Sequence, residues 1–315
     1  MQTTINFILH NRYKYFRFTI NELLKLDKQI KKIINLNIFI SLEDQIFWEP
    51  IIAKIKKFHI NVDVFLVNNQ NNYMNKISHA LQNSKEYIIL VDEDIFIPKN
   101  TWEFFITNLN CLENKNNLFL APIITTGIPS VDLFVENFFD KKEKNIIEKM
   151  FIKTHIPSIW GVNYENLNEN TTQSLFWDAE NFYNNVSKIK HHYLGVHPVR
   201  FSFEAQQFIN DFCINKFSKL CSASDFSLIE MKRPYFCNSV FGIKRNTWFD
   251  VLNDKALFYD EFDEVPLNLY MKNNNLNMVF IKGSVAFHPS YNTINIYNYN
   301  YQFLSDKFFN DKVIK

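Results

Sequence analysis

Residues 86–98 read Glu-Tyr-Ile-Ile-Leu-Val-Asp-Glu-Asp-Ile-Phe-Ile-Pro, and the rest of the chain is organised around them. Residues 87–91 are apolar and mostly β-branched or aromatic, which suits a strand buried on both faces of a sheet. Three acids follow at once: Asp92, Glu93 and Asp94. Alternation along an extended chain puts Asp92 and Asp94 on one side and Glu93 on the other. Packing explains poorly why two carboxylates should stand at the carboxyl end of a central strand, and in open α/β sheets that edge is where ligands bind. Hard oxygen ligands suit Mg2+ or Mn2+, and a divalent ion held there can bridge to phosphate oxygens. The ordinary alternative is that these acids cap a helix starting after Pro98.

Upstream, the pattern alternates. Residues 4–9 read as a strand that ends in His10-Asn11-Arg12, and residues 14–33 carry helical spacing. A second strand at 36–40 is followed by Ser41-Leu42-Glu43-Asp44, then a helical stretch at 46–58. A third strand at 62–67 ends at Asn68-Asn69, and residues 73–84 look helical before the central strand. This βαβ series predicts a parallel sheet with right-handed crossovers, so that the polar residues after each strand gather at one edge.

Downstream, a helix and a short strand are expected between 101 and 122. Residues 125–235 are less regular, with helical patches near 143–151 and 203–220. Trp160, Trp177, His191, His192 and His197 fall in loop-like sequence of that region, where they suit sugar recognition or ordinary packing. A strand is expected at 236–245, a helix at 265–273 and two short strands at 277–281 and 285–287. The last twenty residues predict a helix packed on the outside.

Composition excludes several classes. The 315 residues can bury a large core. A net charge of +1 gives no electrostatic footprint for nucleic acid. Phe (33) and Tyr (14) are so frequent that single aromatic residues carry little meaning. Cys111, Cys213, Cys221 and Cys237 show no zinc spacing and read as reduced thiols of a cytoplasmic protein. No leader pattern and no apolar run of about 18 residues is present, so a transmembrane segment is not expected, while contact with the inner face of a membrane stays open.

Three stretches together resemble the nucleotide-sugar glycosyltransferases of the GT-A fold, closest in pattern to family 2. Residues 73–94 follow that family's helix, apolar strand and Asp-x-Asp. Residues 237–250 are similar to its small residue, apolar strand, Arg and aromatic segment. The best match is 263–288: Asp263-Glu264 opening a helix, a short strand, then Ala286-Phe287-His288 at the spacing the pattern demands. The resemblance covers roughly 4–122 and 236–290. It implies an α/β fold with a mostly parallel, Rossmann-like sheet flanked by helices. Residues 1–124 would form a nucleotide-sugar-binding half. Residues 125–295 would form an acceptor half with a long insertion at about 125–235, leaving 296–315 as a tail.

The resemblance also implies roles. Asp94 would bind Mn2+ or Mg2+, Asp92 would hold the ribose or share the metal, and His288 would be a further metal ligand or diphosphate contact. Glu264 would be the general base of an inverting transfer, with Asp263 as partner or substitute. Arg12, Ser41, Glu43, Asn69 and Lys76 would approach the UDP or GDP part of the donor. Ser41 stands where family members often have Asp, which leaves the base open. The implied activity moves a sugar to a saccharide or lipid-linked saccharide acceptor, as in bacterial surface polysaccharide synthesis.

Three other readings compete. In a phosphohydrolase of the haloacid dehalogenase type Asp92 would be the nucleophile, but there the motif opens the chain, whereas here three strands precede it. A catalytically inactive sugar-binding protein would retain the fold and lose the metal, which the intact Asp92, Asp94 and His288 argue against. A nucleotidyltransferase would need a basic Gly-rich loop after the first strand, which is absent.

Overall fold

The computed structural model describes residues 2–8, 13–41, 45–58, 60–67, 82, 84–154, 156–157, 172–173, 197–237, 239–253, 264–289 and 302–313. The amino-terminal part runs β1 (Thr3–Ile8), α1 (Tyr13–Leu24), α2 (Lys28–Ile33), β2 (Ile34–Ser41), α3 (Gln45–Lys57), β3 (Asn61–Val67) and β4 (Tyr87–Asp92). There follow α4 (Lys99–Thr107), a 3-10 turn (Leu109–Glu113), β5 (Asn117–Ile124), α5 (Ser130–Phe138) and α6 (Lys141–Lys153). A two-residue ribbon pairs β6 (Ile156–Pro157) with β7 (Thr172–Gln173). The remainder is α7 (Phe203–Cys221), β8 (Ser227–Met231), β9 (Val240–Lys244), α8 (Arg245–Asn253), α9 (Glu264–Asn273), β10 (Asn277–Ala286) and α10 (Gln302–Phe308). A π-helical turn, Phe309–Val313, continues α10.

Eight strands form one sheet in the order β3-β2-β1-β4-β9-β5-β10-β8. Pairing is parallel from β3 through to β4 and between β5 and β10; β9 and the edge strand β8 run antiparallel. This is the expected α/β class, with a mostly parallel sheet flanked by helices. The chain winds from β1 outward to β2 and β3, then returns to the other side of β1 as β4. That reversal opens a crevice at the carboxyl edge between β1 and β4, the usual binding place in such sheets. Asp92, the last residue of β4, pairs with Ile8, the last of β1, at that point.

Alternation sorts the strand residues into two cores. Ile88 and Leu90 of β4, Phe119 and Ala121 of β5 and Phe280 of β10 face one layer, with α5, α6, α7, α8 and α9. Tyr87, Ile89, Val91, Leu120, Val279 and Ile281 face the other, under α1, α3 and α4. Burial on both faces explains the near-continuous apolar runs of these strands, each fully buried side chain contributing about 1.5–3 kcal/mol. Gly242 of β9 belongs to this packing. A Cβ there would stand 2.5 Å from Leu109 and 3.1 Å from Phe105.

The structure corrects several expectations. Residues 14–33 are two helices. The N–H groups of Lys25 and Leu26 bond back three residues to Glu22 and Leu23, which tightens and ends α1, and Asp27 then enters α2 in an extended conformation. The two short strands at 277–287 are one strand, β10, whose register on β5 shifts between Ile281 and Ala286. Gly283, at φ +82°, absorbs that irregularity and lets Asp225 O approach closely. The strand expected at 236–245 is shorter, and α8 follows it directly. The carboxyl-terminal helix is present as expected, with one face exposed at Phe303 and the other packed deep. Leu304, Phe308 and Phe309 are buried, Phe309 stacks on Tyr15 at 4.5 Å, and Phe308 lies 5.2 Å from Phe287. The aromatic residues of its inner face are core material.

Candidate active site

The acids after β4 do not continue the strand. Ile95 N–H donates to Asp92 O (3.4 Å), so Asp92 to Ile95 form a turn with Glu93 and Asp94 at its centre. The expected alternation of the three acids therefore stops at Asp92; a turn does not keep the period of two. Glu93 and Asp94 are buried and Asp92 is half-buried. The alternative role as helix caps is not seen either: Pro98 is the N-cap of α4 and no side chain caps it.

Backbone bonds fix the turn from both sides. Asp92 N–H donates to Ser239 O at 2.9 Å, just before β9 begins. The Thr19 hydroxyl donates to Ile95 O. Phe96 and Phe287 exchange two backbone bonds, of 2.9 and 2.8 Å. Phe287 immediately follows β10, so this bridge brings the end of β10 against the turn after β4. His288, one residue beyond the bridge, then places its Nε2 3.5 Å from Asp94 Oδ2, with both side chains buried.

Two threonines after β5 hold His288 in turn. Thr125 Oγ1 accepts from His288 N–H (3.0 Å) and donates to His288 O (3.1 Å). Thr126 Oγ1 lies 2.8 Å from His288 Nδ1 and donates to His288 O at 3.2 Å. Ends of three strands, β4, β5 and β10, thus converge on one carboxylate and one imidazole.

A separation of 3.5 Å is longer than the roughly 2.7–2.9 Å of a charge-assisted hydrogen bond. It is close to the spacing of about 3 Å between neighbouring ligands of a six-coordinate ion bound at about 2.1 Å. The carboxylate suits Mn2+ or Mg2+ completed by water and phosphate oxygens, and the imidazole beside it favours Mn2+ of the two. The residues fit a divalent ion. Among the described residues no group of three or more His, Cys, Asp or Glu side chains is placed to hold one, so Asp92 does not complete a triad with Asp94 and His288.

Other expected site residues are placed in part. Ser41 closes β2 at the carboxyl edge and Glu264 opens α9, each described by its backbone alone. Arg12, Glu43, Asn69, Lys76 and Asp263 lie outside the described residues, as do Trp160, Trp177, His191 and His192. The position of α9 is nevertheless well fixed. Asn268 Oδ1 accepts from Phe236 N–H (2.6 Å) and its Nδ2 donates to Phe236 O (2.7 Å). Next along, Cys237 exchanges bonds of 2.7 and 2.8 Å with Ile128. Residues 236–239 precede β9, which runs antiparallel to β4, so α9 is clasped to the same edge as Asp92 and Asp94.

His197 does not serve sugar recognition as an exposed group would. It is fully buried, its Nδ1 accepts from Val199 N–H at 3.0 Å, and its Nε2 lies 3.3 Å from Asp132 Oδ1 at the start of α5. Phe151 packs edge-on against the ring at 5.2 Å. This is a structural tie, within the inserted region, from the segment before α7 to α5 and α6. Thr125 and Thr126 were not singled out from sequence. The signal that points to them is their place, two hydroxyls directly after the fully buried strand β5.

No protein-family model matches the chain, and no curated protein matches it either. Among solved structures it is similar to GalNAc-T7 with UDP, GalNAc and Mn2+, at 12% identity and a TM-score of 0.49, over 98% of this chain and 50% of that one. It is also similar to TarS of S. aureus, at 12% identity and a TM-score of 0.44, over 91% of this chain and 60% of that one. A mannosyltransferase, PcManGT from Pyrobaculum calidifontis, in complex with GDP-Man and Mn2+, matches at 8% identity and a TM-score of 0.45, over 91% and 56%. The chain thus spans about half to three-fifths of the length of these proteins.

Proposed function

We propose that this chain is a metal-dependent, inverting glycosyltransferase of the GT-A type, which moves a sugar from a UDP or GDP donor to a saccharide acceptor. One observation carries the reading: Asp94 and His288, far apart in sequence, meet 3.5 Å from each other in buried positions at the carboxyl edge of β4, beside the crevice. Asp94 and His288 would hold Mn2+ or Mg2+, and Asp92, at the crevice, would hold the ribose of the donor. Such an ion, when bound, supplies Lewis-acid neutralisation of the departing diphosphate.

The chain's own residues divide the remaining work. Arg12, Ser41, Glu43, Asn69 and Lys76 follow β1, β2 and β3 or precede β4, where the base, ribose and diphosphate of a donor would lie in this type of sheet. Glu264, at the first position of α9, takes the proton from the acceptor hydroxyl as its oxygen attacks the anomeric carbon, with Asp263 beside it. The clasp of Asn268 on Phe236 fixes the helix that carries this base relative to the strand edge. The inserted region, about 125–235, would form the acceptor platform for a saccharide or lipid-linked saccharide of a cell-surface polymer, met on the cytoplasmic side. No described helix is long and apolar enough to cross a membrane.

Thermal unfolding with UDP or GDP, each with and without Mn2+, tests the reading. A nucleotide at about 100 times its Kd stabilises the folded state by roughly 2.7 kcal/mol. We expect that gain with one nucleotide and only when Mn2+ is present. If no nucleotide stabilises the protein in a metal-dependent way, the reading fails.

A further inference from the structure

Helix α3 turns Trp48, Ile51, Ile52 and Ile55 inward to the core it shares with α1 and α4. Its outer face is not simply polar. Ile46, Pro50, Ala53 and Lys57 recur at helical spacing on that side and all are exposed, Ile46 to 79%. Phe58, directly after the helix, is 44% exposed. Lysines border this stripe at one end. Lys56 and Lys57 close α3, and Lys28, Lys31 and Lys32 belong to α2. The two helix ends lie side by side, because Asn35 and Asn61, at the starts of the strands that follow them, are register partners. Lys31 Nζ stands 5.8 Å from the centre of the Phe58 ring, a cation–π contact that joins the two helices. Nearby acids are engaged by other lysines: Glu22 pairs with Lys25, and Asp27 Oδ1 lies 3.7 Å from Lys99 Nζ. None of the five lysines forms an ion pair with a described acid. Glu49 is the single acid of α3.

This concentrates positive charge on one flank of a chain whose net charge is only +1. A polyanion in solution would engage the lysines and leave the apolar stripe in water. A bilayer with anionic headgroups engages both, the lysines at the headgroups and the apolar side chains at the acyl boundary. We propose that the flank formed by α2 and α3 is a docking surface for an anionic phospholipid bilayer, with α3 lying along the interface and Ile46 and Phe58 turned into it. Helix α3 runs about 20 Å, from the carboxyl end of β2 back to the amino end of β3. The bilayer would therefore lie along the side of the molecule, and the crevice at the carboxyl edge would open beside it. Docking goes beyond the function proposed above and does not rest on it.

Co-sedimentation of the full chain with vesicles tests the proposal. We expect binding to phosphatidylcholine vesicles that contain about 30% phosphatidylglycerol, none to phosphatidylcholine alone, and release in about 0.5 M salt. Each lysine near such a surface strengthens binding about fivefold, so the double variant Lys56→Gln/Lys57→Gln should bind about 25-fold more weakly. Ile46→Ser/Phe58→Ser should lose about tenfold through the apolar contact. Lys141→Gln/Lys149→Gln removes the same charge from α6, in the other helical layer, and should change nothing. All six positions are exposed, so thermal unfolding should confirm that each variant is folded. Failure to bind anionic vesicles, equal binding to neutral ones, or equal losses from the two lysine pairs overturns the proposal. So does polyuridylate bound more tightly than the vesicles, which would mark the flank as a nucleic-acid surface. Vesicle binding in a protein that no nucleotide stabilises would uphold the docking surface and sink the glycosyltransferase reading.

Discussion

The two ends of β4 carry similar groups in opposite arrangements. At the amino end, the Tyr87 hydroxyl donates to Glu113, and Lys244 Nζ donates to the same carboxylate at 2.9 Å. The acid and the lysine reach water there. At the carboxyl end, Asp94 and His288 are buried and stand 3.5 Å apart, held by the Phe96–Phe287 bridge and by Thr125 and Thr126. In the first case, charges close on one another at hydrogen-bond length and the fold uses them. In the second, rigid backbone holds a buried acid and base at the separation of two ligands of one ion. Under the proposed function, that combination of burial and spacing, not the presence of charge alone, is what sets the second end apart as the binding site.

The comparison can be broken most sharply at Glu264. Glu264→Gln should leave donor binding intact and lower transfer by about 10²–10⁴-fold, measured as initial rate against nucleotide binding. A variant that transfers normally would remove the base from this edge. Next, Asp94→Asn should lower transfer by about 10²–10³-fold, whereas Glu113→Gln, at the other end of the same strand, should leave it unchanged. Equal losses from the two substitutions would erase the distinction between the ends.

Two smaller effects concern stability. Phe308 packs beneath the bridge, 6.4 Å from Phe96 and 5.2 Å from Phe287, so Phe308→Ala should cost about 3–5 kcal/mol by denaturant unfolding. A loss under about 1 kcal/mol would mean that the carboxyl-terminal helix is not part of this core. At the amino end the sign of the pH dependence follows from the coupled pair. Burial first, then Glu113, raises the Tyr87 hydroxyl above its ordinary 10.0, and hydrogen bonds from Tyr87 and Lys244 lower Glu113 below 4.5. A raised folded-state value contributes stability in full below pH 10 and loses it as pH climbs toward that value; the lowered Glu113 contributes above pH 4.5 and loses it on acidification. Tyr87→Phe should therefore flatten the fall in Tm above pH 10, and an unchanged slope would contradict the pairing.

Strong, repeated patterns made much of this legible in sequence. The apolar strand 87–91, the series before it, and the helix and strand segments of 265–287 follow from periodicity and polar punctuation, whereas the meeting of His288 with Asp94 was implied only by the resemblance to GT-A glycosyltransferases. Other parts carried weaker signals. Strand β8, Ser-Leu-Ile-Glu-Met, is a partly exposed edge with no apolar run to reveal it. Helix α5, Ser-Val-Asp-Leu-Phe-Val-Glu-Asn-Phe, is rich in β-branched and aromatic residues that read as strand. The turn at Asp92 needed the Phe96–Phe287 bridge to define it, and such a long-range pairing leaves no local trace. The same holds for Thr126, whose role depends on a histidine from the far end of the chain.

The account stands on Asp94 and His288 serving a single cation. The most direct test is a double-mutant cycle on Mn2+ affinity, by titration calorimetry of the wild type, Asp94→Asn, His288→Ala and the double variant. If both hold one ion, either change alone removes most of the affinity and the second adds little, so the losses fall far short of additive. Fully additive losses, or tight Mn2+ binding that survives both changes, would contradict it.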